Sequence, residues 1–261
     1  MKRRFGLATT FVIAFLSLPT AVVTVLSFSG DAFLNFPVGS WSVQPYIDLV
    51  QSSGLRDGLS RSLMVGGISA LLCLLAGLPA SLAMASGGPR FRAALFSFLS
   101  LGFATPLVVS GVGILVVYYQ IGVYGSLPSV ALGLAIVHLP FLLYAIAASL
   151  ENLDPQLQEA AETLGARKVH VLFLVKIPAL APGIITGSLL VFVLSITEFV
   201  VSMILTTVSS ATLPVLIFGS LRSGATPVLA AAGAVYILLA FGAVFLISRF
   251  RSLQQFLFRS E

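Results

Sequence analysis

The sequence predicts an all-α, polytopic membrane protein with six transmembrane helices in a single domain that covers residues 1–261. Hydrophobic residues make up 58% of the chain and charged residues only 9%, whereas soluble domains carry about 25% charged residues. Mean hydropathy is +1.07. The apolar residues are grouped in long uncharged runs, and about 20 such residues are enough to cross a bilayer. The surroundings of this chain are therefore expected to be lipid.

The first predicted span, residues 7–28, follows the basic residues Lys2, Arg3 and Arg4. A secretory signal peptide has a shorter apolar core of about 7–15 residues, so this run is interpreted as an uncleaved span. An apolar segment between Leu213 and Leu221 is too short to cross the membrane and predicts an interfacial or re-entrant helix. The remaining spans are predicted at residues 62–85, 93–119, 127–150, 181–205 and 228–248.

The basic residues predict the orientation. If both termini are cytoplasmic, eleven of the fourteen Lys and Arg residues lie in inside segments, and only Arg56, Arg61 and Arg222 lie outside. An excess of Lys and Arg marks the cytoplasmic side of a membrane protein. The net charge of +5 is therefore attributed to topology and not to nucleic-acid binding. The polar loop at residues 151–180, between the fourth and fifth spans, is predicted to be cytoplasmic.

The 151–180 loop has the pattern of a helix, a glycine bend and a second helix. Asp154 and Pro155 suit a helix start, and Gly165 suits a helix end because glycine readily adopts a left-handed conformation. Pro178 and then Pro182 with Gly183 are expected to close the second helix before the fifth span. Such a unit can press an apolar helix face into a groove on another protein. That face is predicted to consist of Leu157, Ala160, Ala161 and Leu164.

The same loop resembles the coupling-loop signature of bacterial ABC-importer permeases. In that family a Glu-Ala-Ala triplet is followed, after three residues, by a Gly. After a nine-residue spacer come an apolar residue, any residue, a second apolar residue and Pro. Glu159, Ala160, Ala161 and Gly165 match the first part, and the tail is formed by Val175, Ile177 and Pro178. The resemblance implies that an ATP-hydrolysing subunit contacts this loop. The residues implied are Glu159, Ala160, Ala161, Leu164, Gly165, Ile177 and Pro178.

The resemblance also implies partners and a location. A permease of this kind lies in the bacterial cytoplasmic membrane with two ATP-binding subunits, a second and related permease chain, and an extracytoplasmic solute-binding protein. ATP and Mg²⁺ are bound by the partner subunits, and no cofactor is expected on this chain. The chain forms half of an alternating-access pathway and is not itself an enzyme.

Other stretches resemble the polyamine-type branch of these permeases, which implies a small polar or cationic substrate such as a polyamine. They are residues 36–42, 138–141 and 212–219. Permeases for aminoethylphosphonate, ferric iron and opines share similar fragments and remain alternative assignments. A stand-alone secondary transporter would also suit six spans, but it gives no reason for the Glu159–Pro178 pattern.

Glu198 is the one carboxylate predicted inside a span. Burying an ionised acid in the membrane is costly, so such residues usually face a cavity or a partner. Glu198 is therefore a candidate for the translocation pathway, where it would help to pass a cation, with a structural hydrogen bond as the alternative. His138 is expected to bond another helix. We predict no catalytic residues and no metal site. A membrane-embedded enzyme would need a set of catalytic residues in or near the spans, and Glu198 and His138 alone do not make one.

Overall fold

A computed structural model describes residues 2–257 except for residues 87, 89, 92, 96, 98–101, 103–104 and 151–154. The described ranges are helical apart from turns, bends and one isolated antiparallel bridge between Ser29 and Trp41. Five of the helices in these ranges are long and apolar enough to cross a membrane. The all-α fold expected from the composition is confirmed.

Eleven helices with defined limits follow one another along the described residues, and further residues between Ser86 and Leu107 are helical. The eleven helices are α1 (Lys2–Leu26), α2 (Gln44–Gln51), α3 (Ser53–Ser86), α4 (Leu107–Ile121), α5 (Leu127–Leu150), α6 (Pro155–Thr163), α7 (Lys168–Val171), α8 (Ile177–Thr197), α9 (Val200–Leu205), α10 (Leu213–Leu221) and α11 (Pro227–Leu257). Residues Leu172–Lys176 form one π-helical turn between α7 and α8.

The chain divides into two compact units, and the first comprises residues 1–60 and 212–242. Its core is small: Leu49 of α2 and Leu213 of α10 are buried with Ala231 and Ala232 of α11. The loop after α1 is tied to this unit by backbone, because the amide of Leu34 donates to the carbonyl of Ala225 at 2.9 Å.

The second unit comprises residues 61–211 and 243–261. Within it, α5 and α8 pack against each other along their length. Helix α4 packs against the short α9. Fully buried aliphatic side chains form its two clusters. One includes Val65, Val130, Leu134, Val201 and Leu205, and the other includes Leu142, Ile146, Leu180 and Val191.

Most predicted spans agree with helices in the structure. The fourth span and the short Leu213–Leu221 helix have the predicted bounds. The second span begins earlier than predicted, at Ser53. The prediction for the third span falls partly on residues outside the described ranges, and the longest described helix within it is α4, which begins at Leu107. Asp154, predicted to cap α6, also lies outside them.

The fifth span differs from the prediction at both ends. Helical structure runs without interruption from Lys168 to Thr197, so Pro178 does not close the second helix of the loop. Proline lacks an amide and its ring crowds the carbonyl four residues earlier; the π turn at Leu172–Lys176 widens the helix immediately before it, which gives the ring room. The helix then ends at Thr197, and the predicted continuous run to Leu205 is broken at Glu198.

Candidate functional site

The turn after α6 is a glycine-terminated helix end. The amide of Ala166 donates to the carbonyl of Ala161 and the amide of Gly165 donates to that of Glu162, both at 3.0 Å. This is the pair of bonds of a Schellman motif, which places Gly165 at the left-handed position. Gly165 has φ +83°, so the conformation predicted for this glycine is confirmed.

Most of the residues that the sequence pattern assigned to the contact face of α6 are exposed. Leu164 is 88% exposed and Leu157 54%, and Glu159 and Ala160 are exposed beside them, while Ala161 is half-buried. A Cβ atom added to Gly165 would meet no atom within 4 Å. The end of α6 thus presents exposed small and apolar residues beside open space at Gly165. A partner protein could dock against such a surface.

The second arm of the loop carries further exposed apolar residues. Val169, Phe173 and Leu174 are 62%, 60% and 73% exposed, while Val171 is buried and anchors the arm. Ile177 is half-buried and Pro178 is exposed. The helical spacing of the second arm predicts that Val169, Leu172 and Phe173 share one side of it, and it does not include Leu174. Leu174 becomes exposed in the π turn, and the only signal for that turn is a proline within an otherwise helical pattern.

Two glycines join α8 closely to α5. A Cβ at Gly183 would lie 2.5 Å from the carbonyl oxygen of Ala145 and 2.9 Å from the Cα of Ile146, and one at Gly187 would lie 2.7 Å from Leu142. Missing side chains let helix backbones approach in this way. The four-residue spacing of these glycines predicts close packing, either within the bundle or against a second permease subunit. The structure shows it within the chain, between the two helices that flank the loop.

Glu198 lies in the break between α8 and α9. Its backbone is extended, with φ −68° and ψ 120°, and its side chain is half-buried. Glu198 Oε1 accepts a hydrogen bond from the amide of Val201 at 2.6 Å. This bond satisfies one of the amides that a helix start leaves without an internal partner. The carboxylate predicted to lie within a continuous helix therefore holds the start of a new one.

Polar side chains also join α5 to its neighbours. His138 Nδ1 and Ser195 Oγ are 2.9 Å apart and link α5 to α8, as expected for a helix–helix contact. Ser69 Oγ and Cys73 Sγ of α3 donate to the carbonyls of Ala131 and Ala135 at 2.8 and 3.2 Å. This second pair of bonds was not predicted. The sequence feature that indicates it is the four-residue spacing of Ser69 and Cys73, which places both on one helix face.

Metal chemistry has no support in the part of the chain that the structure describes. Among those residues, no group of three or more His, Cys, Asp or Glu side chains could hold a metal ion. Cys73 is buried, and its thiol is engaged with the Ala135 carbonyl. The candidate functional features of the described residues are thus the loop around Gly165 and the break at Glu198.

Comparison with known proteins shows the family to which the chain belongs. Residues 77–254 match the family described as "Binding-protein-dependent transport system inner membrane component". The matched range is more than half of the chain and includes both Gly165 and Glu198. The chain belongs to this family.

Individual relatives and structures agree with that result. The chain is 28% identical over 225 residues to the putrescine transport system permease protein PotI of Escherichia coli K12, which covers 83% of this chain and 79% of the relative. It is 28% identical over 232 residues to the spermidine/putrescine transport system permease protein PotC of Haemophilus influenzae, with 87% and 90% covered. The crystal structure of a bacterial ABC transporter involved in the import of alginate shares the fold, with a TM-score of 0.67 at 16% identity over 97% of this chain and 96% of that chain.

Family membership establishes the membrane location of the chain and the kinds of subunit with which it acts. Members are multi-pass proteins of the inner membrane and are transport subunits, not enzymes. They act together with ATP-binding subunits, a second permease and a solute-binding protein. The chain described here is therefore a transmembrane permease subunit of a binding-protein-dependent ABC importer.

Proposed function

We propose that the surface formed by Glu159, Ala160, Ala161, Leu164 and Gly165, together with Ile177 and Pro178, is the contact through which an ATP-binding subunit drives this permease. The observation that carries the proposal is the exposure of Leu164, 88%, beside the open space at Gly165. An exposed leucine at the end of a short helix supplies the apolar anchor that a helix-in-groove contact requires. Glu159 and Pro178 are exposed at either end of this surface.

The proposed contact has a direct mechanical connection to the membrane helices. The loop joins α5 to α8, and these helices approach backbone to backbone at Gly183 and Gly187. Interiors as closely packed as this transmit strain instead of absorbing it. Movement of the loop by a closing ATP-binding subunit is therefore passed to α5 and α8 together, which turns the pathway between inward-facing and outward-facing states.

The assembly we propose has two ATP-binding subunits that bind ATP and Mg²⁺, one on this chain and one on a related permease chain. Both termini of this chain are cytoplasmic in this arrangement, because that orientation puts eleven of its fourteen Lys and Arg residues inside. It also places the Gly165 turn on the side where ATP is available.

We further propose that the transported solute is a small cation of the polyamine class. The relatives PotI and PotC, which are permeases of putrescine and spermidine/putrescine transport systems, support this class. The chemistry of the break supports it as well: the last carbonyls of α8 form the negative end of a helix dipole, and the acidic residue Glu198 directly follows them in the chain. Breaks in membrane helices are tolerated where they line a cavity, so Glu198 is assigned to the translocation pathway.

Two variants of Glu198 separate attraction of a cation from support of the helix break. Glu198→Gln keeps an oxygen that can accept the Val201 amide but removes the charge, whereas Glu198→Ala removes both. A hydrogen bond to a charged group is worth about 1.5–3 kcal/mol, so the Gln variant is expected to raise the KM for polyamine uptake roughly tenfold or more in proteoliposomes. The Ala variant is expected to lose thermal stability in addition.

The identity of the solute is tested by uptake in the same proteoliposomes with the cognate binding protein. Radiolabelled putrescine uptake should be inhibited by unlabelled spermidine and unaffected by aminoethylphosphonate, an opine or ferric iron. Uptake of one of the latter three in place of putrescine would reassign the substrate. Full uptake by the Gln variant with loss only in the Ala variant would show that Glu198 acts solely as a helix cap.

A further inference from the structure

Helix α2 has three distinct faces. Pro45, Tyr46 and Leu49 turn toward the core of their unit, and Leu49 is 5% exposed. Gln44, Asp48 and Gln51 form a polar face, on which both glutamines are exposed and Asp48 is half-buried. The third face is apolar yet uncovered by the chain. It consists of Val43, Ile47 and Val50, which are 62%, 43% and 65% exposed and are spaced to share one side of a helix.

The position of α2 along the membrane normal follows from its contacts with two apolar helices. Tyr46 Oη lies 2.7 Å from Ser27 Oγ, directly after α1 ends at Leu26, and its ring packs on Phe28 with 5.1 Å between centroids. On the other side, Leu49 packs with Ala231 in the second turn of α11. Because α1 and α11 are both apolar enough to cross a membrane, α2 lies at the level where their apolar runs end.

The loop that leads into α2 carries aromatic residues on its surface. Trp41, the one tryptophan of the chain, is 68% exposed, and Phe36 is 73% exposed. Tryptophan is enriched at membrane–water boundaries because its ring is apolar while its N–H requires a polar partner. Trp41 precedes the apolar face of α2 by two residues.

We propose that α2 is an interfacial helix that inserts the face formed by Val43, Ile47 and Val50, with Trp41, into the headgroup–acyl boundary of the bilayer. The polar face of Gln44, Asp48 and Gln51 is left toward water. A helix with separate apolar and polar faces lies in this zone with its apolar side buried about 5–10 Å. The helix would fix the level at which the first unit stands in the membrane.

Lipid is the occupant that the neighbouring surface indicates. The unit that contains α2 also contains α1, which is apolar enough to cross a membrane and whose Phe11, Phe15 and Leu18 are 58–72% exposed. The composition of α2 also defines the kind of lipid contact. The helix carries no Lys or Arg and one Asp, so its insertion depends on apolar burial and not on attraction to anionic headgroups.

Trp41 provides a native probe for this proposal. The full importer, with the tryptophans of its other subunits replaced by Phe, is reconstituted into phosphatidylcholine vesicles that carry bromine either near the headgroup or deep in the acyl chains. Shallow bromines are expected to quench Trp41 more than deep ones, and aqueous iodide is expected to quench it weakly. The same pattern is expected with or without anionic lipid.

Two labelled positions serve as a matched pair. A nitroxide placed at Ile47→Cys should be reached by membrane-dissolved oxygen, whereas one at Gln44→Cys should be reached by a water-soluble nickel complex. The native Cys73 is buried, so labelling is directed to the introduced cysteines.

Two outcomes would overturn the interfacial placement. Strong iodide quenching of Trp41 without bromolipid quenching would show that this face stands in water. Insensitivity to both quenchers, or protection that appears only when the binding protein is added, would show that a protein subunit covers it.

Discussion

At the scale of single residues, the proposed coupling role of Gly165 depends on two of its properties, its backbone conformation and its lack of a side chain. Its φ of +83° is a conformation that L-residues adopt only with strain, and its missing side chain leaves open space on the exposed surface. The first property preserves the turn between the two arms of the loop. The second leaves room for a partner backbone to approach.

Substitution of Gly165 should therefore uncouple the importer without unfolding the membrane helices. Gly165→Ala adds about 1–2 kcal/mol of strain and should lower substrate-stimulated ATP hydrolysis, while Gly165→Val, which is β-branched and larger, should abolish it. Membrane content of the protein should be unchanged for both variants. The assay is ATP hydrolysis of the reconstituted complex with and without loaded binding protein.

Gly54→Ala is the matched control, because a Cβ at Gly54 also meets no atom within 4 Å but the residue lies in the regular helix α3. This variant should retain normal stimulation. Undiminished stimulation in Gly165→Val would falsify the coupling role of the turn.

At the scale of elements, α5 and α8 form the pair on which transmission from the loop depends. Gly183→Ala places a Cβ 2.5 Å from the Ala145 carbonyl oxygen and 2.5 Å from Ser149 Oγ. Overpacking of this kind costs about 1–3 kcal/mol. The variant should therefore melt at a lower temperature in detergent, as measured by loss of the monodisperse peak after heating.

Gly67→Ala gives the comparison for Gly183, because nothing lies within 4 Å of its added Cβ. We expect its melting temperature to match that of the native protein. Equal melting temperatures for the Gly183 and Gly67 variants would show that α5 and α8 are not in close contact in the assembled importer.

In the loop between α1 and α2, the carboxylate of Asp31 adds side-chain hydrogen bonds to those made by the backbone. Asp31 accepts hydrogen bonds from the Gly39 amide at 3.1 Å and from Ser40 Oγ at 3.0 Å. The Gly39 bond and then the Ser40 bond hold the pKa of Asp31 below its usual value of 3.8. A depressed pKa in the folded state means that this stabilisation is present above pH 3.8 and is lost as the pH falls through the lower, folded value.

Hydrogen exchange of the Gly39 amide measures this dependence. Its protection factor should be constant from neutral pH down to about pH 4 and should fall below that pH. Asp31→Asn removes the titrating group, so its protection should be lower at neutral pH and flat on acidification. A native profile without an acid limb would contradict the role assigned to Asp31.

At the scale of the whole molecule, the features set by hydropathy and helix chemistry could be predicted from sequence. The span at Leu127–Leu150 and the short helix at Leu213–Leu221 are bounded by polar or turn residues, and their limits agree with the structure. The left-handed Gly165 was predicted because only glycine adopts that conformation without strain. These features depend on residues close in sequence.

The features that could not be predicted depend on backbone geometry and side-chain contacts that the sequence pattern does not show. Pro178 indicates a helix end locally, but a π turn lets the helix continue. The break at Glu198 lies in an apolar run with no glycine or proline near it, and the bond that supports it, from Val201 to Glu198 Oε1, is visible only in three dimensions. The division of α2 into three faces likewise required its contacts with α1 and α11.

We propose that an ATP-binding subunit binds the loop around Gly165, and site-specific photocrosslinking detects this contact. Benzoylphenylalanine is introduced at Ala160, which is exposed on α6, and for comparison at Phe36, which is 73% exposed in the loop before α2. Irradiation of the assembled importer should join position 160 to the ATP-binding subunit and block substrate-stimulated ATP hydrolysis, whereas position 36 should give no such product. Crosslinking of position 160 to lipid or to the solute-binding protein, with none to the ATP-binding subunit, would contradict the account.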